Sequence, residues 1–343
     1  IRESVEYLLE HDREVFYDAE HFFDGYKSNP DFAFKTLEAA IEGGTRCLVL
    51  CDTNGGSLPC DIEIITQKVV AHFKDIPDLI VGIHTHNDCA MAVANSVTAV
   101  QAGARMVQGT VNGYGERCGN ADLTAIIPIL NLKMKRPCMP DEMLARVTNL
   151  SRFVSETANI PPVNSRPFVG RSAFAHKGGV HVSAIMKNPK AYEHMDPEIV
   201  GNERRVIVSE QSGKSNIEYK AKEMGLDLGD DSGIGHTIVR SIKELEDYGY
   251  EFDAAEGSLK VLMEKLTDQF VPHFELESFR VMVEKDKDRP CYSHAMIKIR
   301  VGDKTEITSA EGDGPVSALD NALRKALSYI YPQIDDMHLV DFK

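Results

Sequence analysis

The sequence predicts an α/β protein whose first 136 residues form the C-terminal half of a (β/α)8 TIM barrel. Apolar strands alternate with amphipathic helices, each strand ends in polar residues, and the first three strand ends, Glu20, Thr53 and His86, recur every 33 residues. This spacing indicates parallel strands joined by right-handed crossovers. A dinucleotide-binding sheet is disfavoured, because no G-x-G-x-x-G motif follows a strand.

Four strands and four helices are predicted in this region. The strands are expected at residues 14–20, 47–53, 80–86 and 105–112, and the helices at residues 32–42, 61–73, 90–102 and 121–132. A closed barrel needs eight strands and roughly 250 residues. We therefore expect the four earlier strands to lie upstream of Ile1, outside this chain.

Two regions follow the half barrel. Residues 137–272 are predicted to form mostly helical linker subdomains, with helices at 141–158, 215–224, 236–247 and 254–269. Residues 273–343 change to alternating strands and are predicted to form a partial α+β regulatory domain. Its strands are expected at 275–284, 293–301 and 304–309, its helix at 315–331, and the start of a further strand at 337–342. This is one complete β-β-β-α unit, for which a purely structural cap is the alternative.

Composition limits the partners and the compartment. A net charge of −15 argues against nucleic acid or an anionic membrane as the main partner. No run of 18 apolar residues is present, so no membrane span is predicted. The seven cysteines are scattered without a CxxC pair, which suits a reducing cytoplasm rather than a disulfide framework.

The most informative motif is His84-Thr85-His86, at the end of the third strand. Side chains two residues apart share a face only in extended backbone, since strand side chains alternate. The two imidazoles are therefore predicted to chelate a divalent metal ion. The alternative is a surface histidine pair without a ligand role.

The glycine-rich run at residues 112–120 follows the fourth strand, so it is expected beside the histidine pair. Asn120 offers an amide oxygen as a third ligand, and Glu116 and Arg117 could also face the site. Such a set suits Mg, Mn or Zn. The alternative is a flexible loop in which Asn120 is only a helix N-cap.

Glu20 and Thr53 end two neighbouring predicted strands. A glutamate near a metal-bound carbonyl can serve in acid–base chemistry, and a threonine hydroxyl can hold a substrate carboxylate. Either residue could instead be a solvated rim residue. No lysine stands at a strand end, which disfavours a Schiff-base aldolase.

Several motifs together resemble the 2-isopropylmalate, homocitrate and citramalate synthase family, over essentially the whole chain. They are Glu-His-Phe-Phe-Asp-Gly-Tyr-Lys (20–27), Cys-Asp-Thr-Asn-Gly-Gly (51–56), His-Thr-His-Asn-Asp (84–88), the run 112–123, the run 170–181 and Ser-Glu-Gln-Ser-Gly-Lys (209–214). Within the family, residues 51–56 and His-Lys-Gly-Gly-Val-His (176–181) most resemble the (R)-citramalate synthases.

The resemblance implies a metal-dependent acyltransferase that condenses acetyl-CoA with a 2-oxo acid, here pyruvate, to give (R)-citramalate and CoA for isoleucine synthesis. It implies His84, His86 and Asn120 as metal ligands, Glu20 in acid–base chemistry and Thr53 on the substrate carboxylate. It further implies a homodimer that exchanges linker subdomains, and isoleucine as effector.

The resemblance also assigns His181 and Tyr192, in the linker region, to catalysis. Without it, His181 would be read as a packed or surface histidine. The sequence departs from the family at one point, because the Arg-Asp-Gly motif that supplies a further metal ligand is absent. We expect that motif upstream of Ile1.

Three other functions stay open at this stage. One is a 2-isopropylmalate synthase, which would take 2-oxoisovalerate. A second is a metal-dependent hydroxyacyl-CoA lyase, although such lyases lack the regions predicted at residues 140–343. The third is a regulatory or assembly module without catalytic activity.

Overall fold

The structure, a computed structural model, describes residues 1–207, 213–229, 233–250, 252, 255–287 and 290–337. The chain divides into two compact units, Ile1–Ser258 and Leu259–Lys343. Within the described ranges, no helix is long and apolar enough to cross a lipid bilayer.

The first unit is built on a four-stranded sheet in which all strands are parallel. Its strands are Phe16–Ala19 (β1), Cys47–Asp52 (β2), Ile80–Thr85 (β3) and Met106–Gln108 (β4), in that order across the sheet. The prediction of parallel strands joined by helical crossovers is confirmed. Strand β2 is buried along its whole length, as its apolar sequence requires.

Six helices accompany this sheet. They are Arg2–Glu10 (α1), Phe22–Ser28 (α2), Pro30–Glu42 (α3), Pro59–His72 (α4), Ala92–Gln101 (α5) and Leu123–Pro128 (α6). The main core packs Leu48 and Leu50 of β2 and Ile83 of β3 against Leu37 of α3 and Ile62 of α4. The other face of the sheet carries the buried side chains of Cys47, Val49 and Cys51, together with polar side chains such as His84 and Gln108.

The other face of the sheet is concave. The Gln108 side chain of β4 donates a hydrogen bond of 2.9 Å to the Asp18 carboxylate of β1, although two strands lie between them. A flat sheet would hold these edge strands about 14 Å apart, which is three spacings of about 4.8 Å. The two side chains together are too short to bridge that distance, so the sheet must curl toward this face.

Two predicted elements of this region end early. Strand β4 stops at Gln108 rather than at residue 112, because Thr110 pairs with Asp122 and Val111–Gly113 forms a 3₁₀ turn. The helix predicted at 121–132 is α-helical only to Pro128 and continues as a π turn over Ile129–Lys133. Proline has no N–H to donate, so it interrupts the regular helical pattern.

The single helix predicted at residues 141–158 is wrong. The structure has two helices, Asp141–Leu144 (α7) and Val147–Ala158 (α8). At the interruption, the Ala145 carbonyl lies so close to Gly201 that any side chain there would overlap it. Gly201 has φ +70°, a conformation that favours glycine.

The rest of the first unit is mostly helical, as predicted. Short parallel strands at Ala175–His176 (β5) and Arg205–Val206 (β6) pair with each other. The helices are Gly179–Lys187 (α9), Lys214–Glu223 (α10), Ile234–Asp247 (α11) and Glu256–Leu266 (α12), the last of which runs into the second unit. Most of the motif at 209–214 lies outside the described residues.

The second unit contains the predicted β-β-β-α arrangement. Strands Glu275–Glu284 (β7), Tyr292–Val301 (β8) and Lys304–Gly312 (β9) form an antiparallel sheet, followed by helix Pro315–Leu327 (α13). Ile297 and Ile299 of β8 pack against Ala318 and Ala322 of α13. The strand predicted at 337–342 lies, except for residue 337, outside the described residues.

Candidate active site

The structure places the two predicted histidine ligands side by side on the concave face. The Nε2 atoms of His84 and His86 lie 3.4 Å apart, and their ring centroids are 5.2 Å apart. Two nitrogen ligands about 2.1 Å from one ion, at a roughly tetrahedral angle, would lie about 3.4 Å apart. The separation of the two nitrogens therefore suits a shared metal ion.

Asn120 lies next to this pair. Its backbone forms an antiparallel bridge with His86, and the flanking hydrogen bonds Ala121 N–H to Thr85 O and Asn87 N–H to Gly119 O hold the two segments together. The Asn120 side-chain amide donates to the Tyr114 carbonyl, 3.2 Å away. This hydrogen bond uses the nitrogen and leaves the amide oxygen for another partner.

Two buried polar atoms of this cluster have no hydrogen-bond partner among the described residues. They are Nδ1 of His86 and Oδ1 of Asn120. An unpartnered buried polar atom costs about 1–3 kcal/mol, so each one needs an explanation, such as a bound water, ion or ligand. The Asn120 oxygen is a ligand atom that divalent cations accept, and together with the facing Nε2 atoms of the two histidines it fits the predicted metal ion.

The metal-ligand set depends on the asparagine. Among the residues that the structure describes, no three His, Cys, Asp or Glu side chains lie close enough together to hold a metal ion. The histidine pair alone supplies two ligands. The unpartnered Asn120 oxygen next to the pair is the candidate for the third ligand.

Burial lowers the pKa of His86, and the neighbouring His84 and the positive charge of Arg117 lower it further. A neutral imidazole is the form that binds a metal. The surroundings of His86 thus favour the ligand form of its side chain.

The glycine-rich run is a tightly held loop. The Asn120 N–H donates to Gly113 O at 3.0 Å, and the Thr110 hydroxyl donates to Tyr114 O at 2.5 Å. Gly119 has φ +88°, and a Cβ there would overlap the Gly113 carbonyl. The glycine therefore allows the tight turn that presents Asn120.

The alternative role of Asn120 as a helix N-cap is wrong. Helix α6 is capped by Asp122, whose carboxylate accepts from the Thr124 N–H at 2.9 Å. Arg166 donates to the same carboxylate at 2.6 Å. Asn120 therefore precedes the cap, and its side-chain oxygen is not used to start the helix.

Arg117 joins three loops at the rim of the site. Its guanidinium donates twice to the Asp88 carboxylate, at 2.8 and 3.1 Å, and once to the Thr53 carbonyl, at 2.7 Å. These hydrogen bonds lower the pKa of Asp88 and raise that of Arg117. The sequence analysis predicted that Arg117 could face the site but did not predict its pairing with Asp88. This pairing depends on how two loops fold.

Thr53 and Glu20 lie at the ends of neighbouring strands, as predicted. The Thr53 hydroxyl oxygen accepts from the His21 backbone N–H at 2.8 Å. Its own proton is then available to an acceptor such as a substrate carboxylate. Glu20 directly follows β1 and is exposed, and no described residue forms a hydrogen bond or ion pair with its carboxylate.

His181 and Tyr192 are brought together, but apart from the histidine pair. Their rings stack with centroids 4.3 Å apart, and both side chains are exposed. Among the described residues, no hydrogen bond or ring contact connects them to His84, His86 or Asn120. Their assignment to the same site stays a prediction.

A buried ionic cluster next to Tyr192 was missed by the sequence analysis. The Glu193 carboxylate, with its side chain 2% exposed, accepts two hydrogen bonds of 2.5 Å from Arg204 and lies 3.1 Å from Nε2 of His176. No local sequence pattern predicts this cluster, because its three residues come from separate segments of the chain.

Known protein families match the chain in three consecutive parts. The family described as HMGL-like matches residues 1–154, the homocitrate synthase post-HMGL domain-like family matches residues 168–250, and the LeuA allosteric (dimerisation) domain matches residues 253–343. This order follows the three predicted regions along the chain.

Curated relatives align with the chain over its whole length. An (R)-citramalate synthase from Geobacter sulfurreducens is 52% identical over the whole chain, and one from Aquifex aeolicus is 50% identical. The chain spans 64% and 65% of the length of these relatives. The match to a solved hydroxymethylglutaryl-CoA lyase from Pseudomonas aeruginosa covers 54% of this chain and 58% of the lyase chain, at 15% identity and a TM-score of 0.40. The chain therefore joins segments that match the HMGL-like, homocitrate synthase post-HMGL domain-like and LeuA allosteric (dimerisation) families, and over its whole length it is similar to (R)-citramalate synthases.

Proposed function

We propose that this chain is part of an (R)-citramalate synthase, which condenses acetyl-CoA with pyruvate and releases (R)-citramalate and CoA. The main support is that His84 and His86 lie side by side next to Asn120, whose buried side-chain oxygen has no hydrogen-bond partner among the described residues, and next to Thr53, whose hydroxyl proton is available to a substrate. The relatives named (R)-citramalate synthase, at 50–52% identity, support this choice of substrate.

The residues of this chain would have separate roles in metal binding, substrate binding and loop positioning. His84, His86 and Asn120 hold a divalent ion, Mg, Mn or Zn, which when bound polarises the 2-oxo carbonyl as a Lewis acid. Thr53 donates its hydroxyl proton to the carboxylate of the 2-oxo acid. Arg117 and Asp88 keep the loops around Thr53 in place through the hydrogen bonds described above.

The condensation needs a base and a water molecule. A base removes a proton from the acetyl-CoA methyl group, the resulting enolate attacks the carbonyl carbon of pyruvate, and water then cleaves the thioester to release CoA. We assign Glu20 to this acid–base chemistry, because its exposed carboxylate stands at the end of the strand next to Thr53. His181 and Tyr192 are proposed to complete the machinery from a neighbouring subunit.

We further propose that the curled sheet is half of a (β/α)8 barrel, with the domains at 1–136, 137–272 and 273–343. The Asp18–Gln108 hydrogen bond across the concave face supports a closed form rather than an open sheet. The LeuA allosteric (dimerisation) domain match supports a homodimer regulated by a small molecule, for which isoleucine, the expected end product, is our candidate. A protein of this kind would act in the cytoplasm.

Product analysis with the complete protein tests the proposal. Acetyl-CoA is incubated with pyruvate or with 2-oxoisovalerate in the presence of Mn²⁺, free CoA is measured, and the product is identified by mass spectrometry and chiral chromatography. We expect (R)-citramalate from pyruvate and little product from 2-oxoisovalerate. Preference for 2-oxoisovalerate would identify a 2-isopropylmalate synthase instead, and cleavage of hydroxymethylglutaryl-CoA would identify a lyase.

A further inference from the structure

We propose that Asp18 and Gln108 form a relay that positions His84 by fixing which of its ring nitrogens carries the proton. This inference deepens the proposed function, on which it rests for the role of the metal. It starts from two hydrogen bonds of 2.9 Å, one from Gln108 Nε2 to Asp18 and one between Gln108 Oε1 and Nδ1 of His84.

The direction of each hydrogen bond follows from the chemistry of the groups. An ionised carboxylate can only accept, so Asp18 must face the amide nitrogen of Gln108. The amide oxygen of Gln108 then faces His84 and, having no proton, can only accept as well. Nδ1 of His84 must therefore carry the ring proton.

The consequence appears at the other nitrogen of His84. In a neutral ring with the proton on Nδ1, Nε2 carries a lone pair, and this atom lies 3.4 Å from Nε2 of His86. The relay thus presents a ligand nitrogen toward the site. Groups that orient a metal-binding histidine through its second nitrogen typically change metal affinity about 10–100-fold when they are removed.

The relay depends on the curl of the sheet, because its three residues lie on three different strands. Gln108 is paired directly with His84 across β4 and β3, whereas Asp18 lies on β1 at the far edge of the sheet. Only the curl of the sheet brings Asp18 within reach. Asp18 and Gln108 are therefore positioning residues, which act on the site through His84.

Three variants of the complete protein test the relay. In Asp18→Ala, Gln108 is free to turn and offer its amide N–H₂ to His84, so a mixture of ring tautomers is expected. In the double variant Asp18→Ala/Gln108→Glu, a carboxylate that can only accept faces His84, so the Nδ1 proton should be restored. Glu14→Ala is the matched control, because it removes one negative charge just before β1 without touching Gln108.

Two readouts are needed. The first is the tautomer of His84 in metal-free protein, from long-range ¹H–¹⁵N correlation NMR, which a general structural effect would not shift selectively. The second is the Mn²⁺ dissociation constant from calorimetry, expected to rise about 10-fold or more in Asp18→Ala and to recover in the double variant. Circular dichroism checks that each variant is folded.

The outcomes separate the relay from the proposed function. An unchanged His84 tautomer together with wild-type Mn²⁺ affinity in Asp18→Ala would overturn the relay, even if the protein makes citramalate. Failure of the double variant to restore the tautomer would also overturn it. A wild-type protein with the Nδ1 proton in place that makes no citramalate would overturn the proposed function and leave the tautomer relay intact.

Discussion

Tyr192 stacks on His181 at an angle of 29° between the ring planes, and the next residue in the chain, Glu193, is anchored by Arg204 and His176. Two residues that the family resemblance assigns to catalysis are thus held next to a buried ionic cluster. The anchor connects the segment that carries Tyr192 to β5, which contains His176, and to the residue just before β6. The stability of this cluster can therefore be tested separately from catalysis.

Replacing Glu193 should destabilise the first unit. Glu193→Gln removes the charge that Arg204 and His176 share, and loss of one partner from a buried ion pair typically costs about 3–5 kcal/mol. Since the Arg204 side chain is 29% exposed and can regain some water, we expect about 3 kcal/mol. Urea unfolding followed by circular dichroism measures this change, because the chain has no tryptophan for fluorescence. Glu203→Gln, which alters an exposed pair with Arg205, is the control and should cost less than about 1 kcal/mol.

The same cluster predicts a pH dependence of stability. Burial raises the pKa of Glu193, but the hydrogen bonds and charges of Arg204 and His176 outweigh it and hold the pKa below its usual 4.5. A carboxylate with a depressed pKa stabilises the fold above its unfolded pKa and loses that contribution as the pH falls through the folded value. The stability difference between wild type and Glu193→Gln should therefore shrink as the pH falls below 4.5. A constant difference down to full acid unfolding would contradict this prediction.

The turn at Gly119 should be required for metal binding. Gly119→Ala places a methyl group against the Gly113 carbonyl at φ +88°, so the loop must shift and carry Asn120 with it. We expect Mn²⁺ affinity to fall at least 10-fold, by analogy with other changes that misplace a metal ligand, while the circular dichroism spectrum stays native. Gly25→Ala is the matched control, because a Cβ at Gly25 meets no atom within 4 Å and its helix should tolerate alanine. Equal Mn²⁺ affinity in the two variants would show that the loop does not deliver a ligand.

Alkylation should distinguish the buried cysteines of β2 from the exposed cysteines. Burial, together with the negative charge of Asp18, raises the pKa of Cys51 to about 12 and that of Cys47 to about 11. Because the thiolate is the reactive form, both thiols should resist alkylation in the native protein and react only after unfolding. The exposed Cys60 and Cys89 should react within minutes under the same conditions. Mass spectrometry after pulse alkylation would show this order, and early labelling of Cys51 would mean that the concave face opens to solvent.

Much of the site could be predicted because its residues follow local rules. An extended backbone forces His84 and His86 onto one face, and parallel strands bring Thr53 and Glu20 to neighbouring ends of one sheet edge. The role of Asn120 was harder to predict, since it depends on a loop closed by glycines with positive φ. The break at residues 145–146 was missed, because it coincides with a contact to Gly201, far away in sequence.

The sequence by itself determined the order of strands and helices, the pairing of the two imidazoles and the resemblance to known synthases, since each of these depends on residues that are neighbours along the chain. Only the tertiary structure decided the partners of the buried polar groups: Gln108 and Asp18 for His84, Asp88 for Arg117, and Arg204 for Glu193. Hydrogen bonds act over about 3 Å, so a partner is set by how strands curl and loops meet, and not by distance along the sequence.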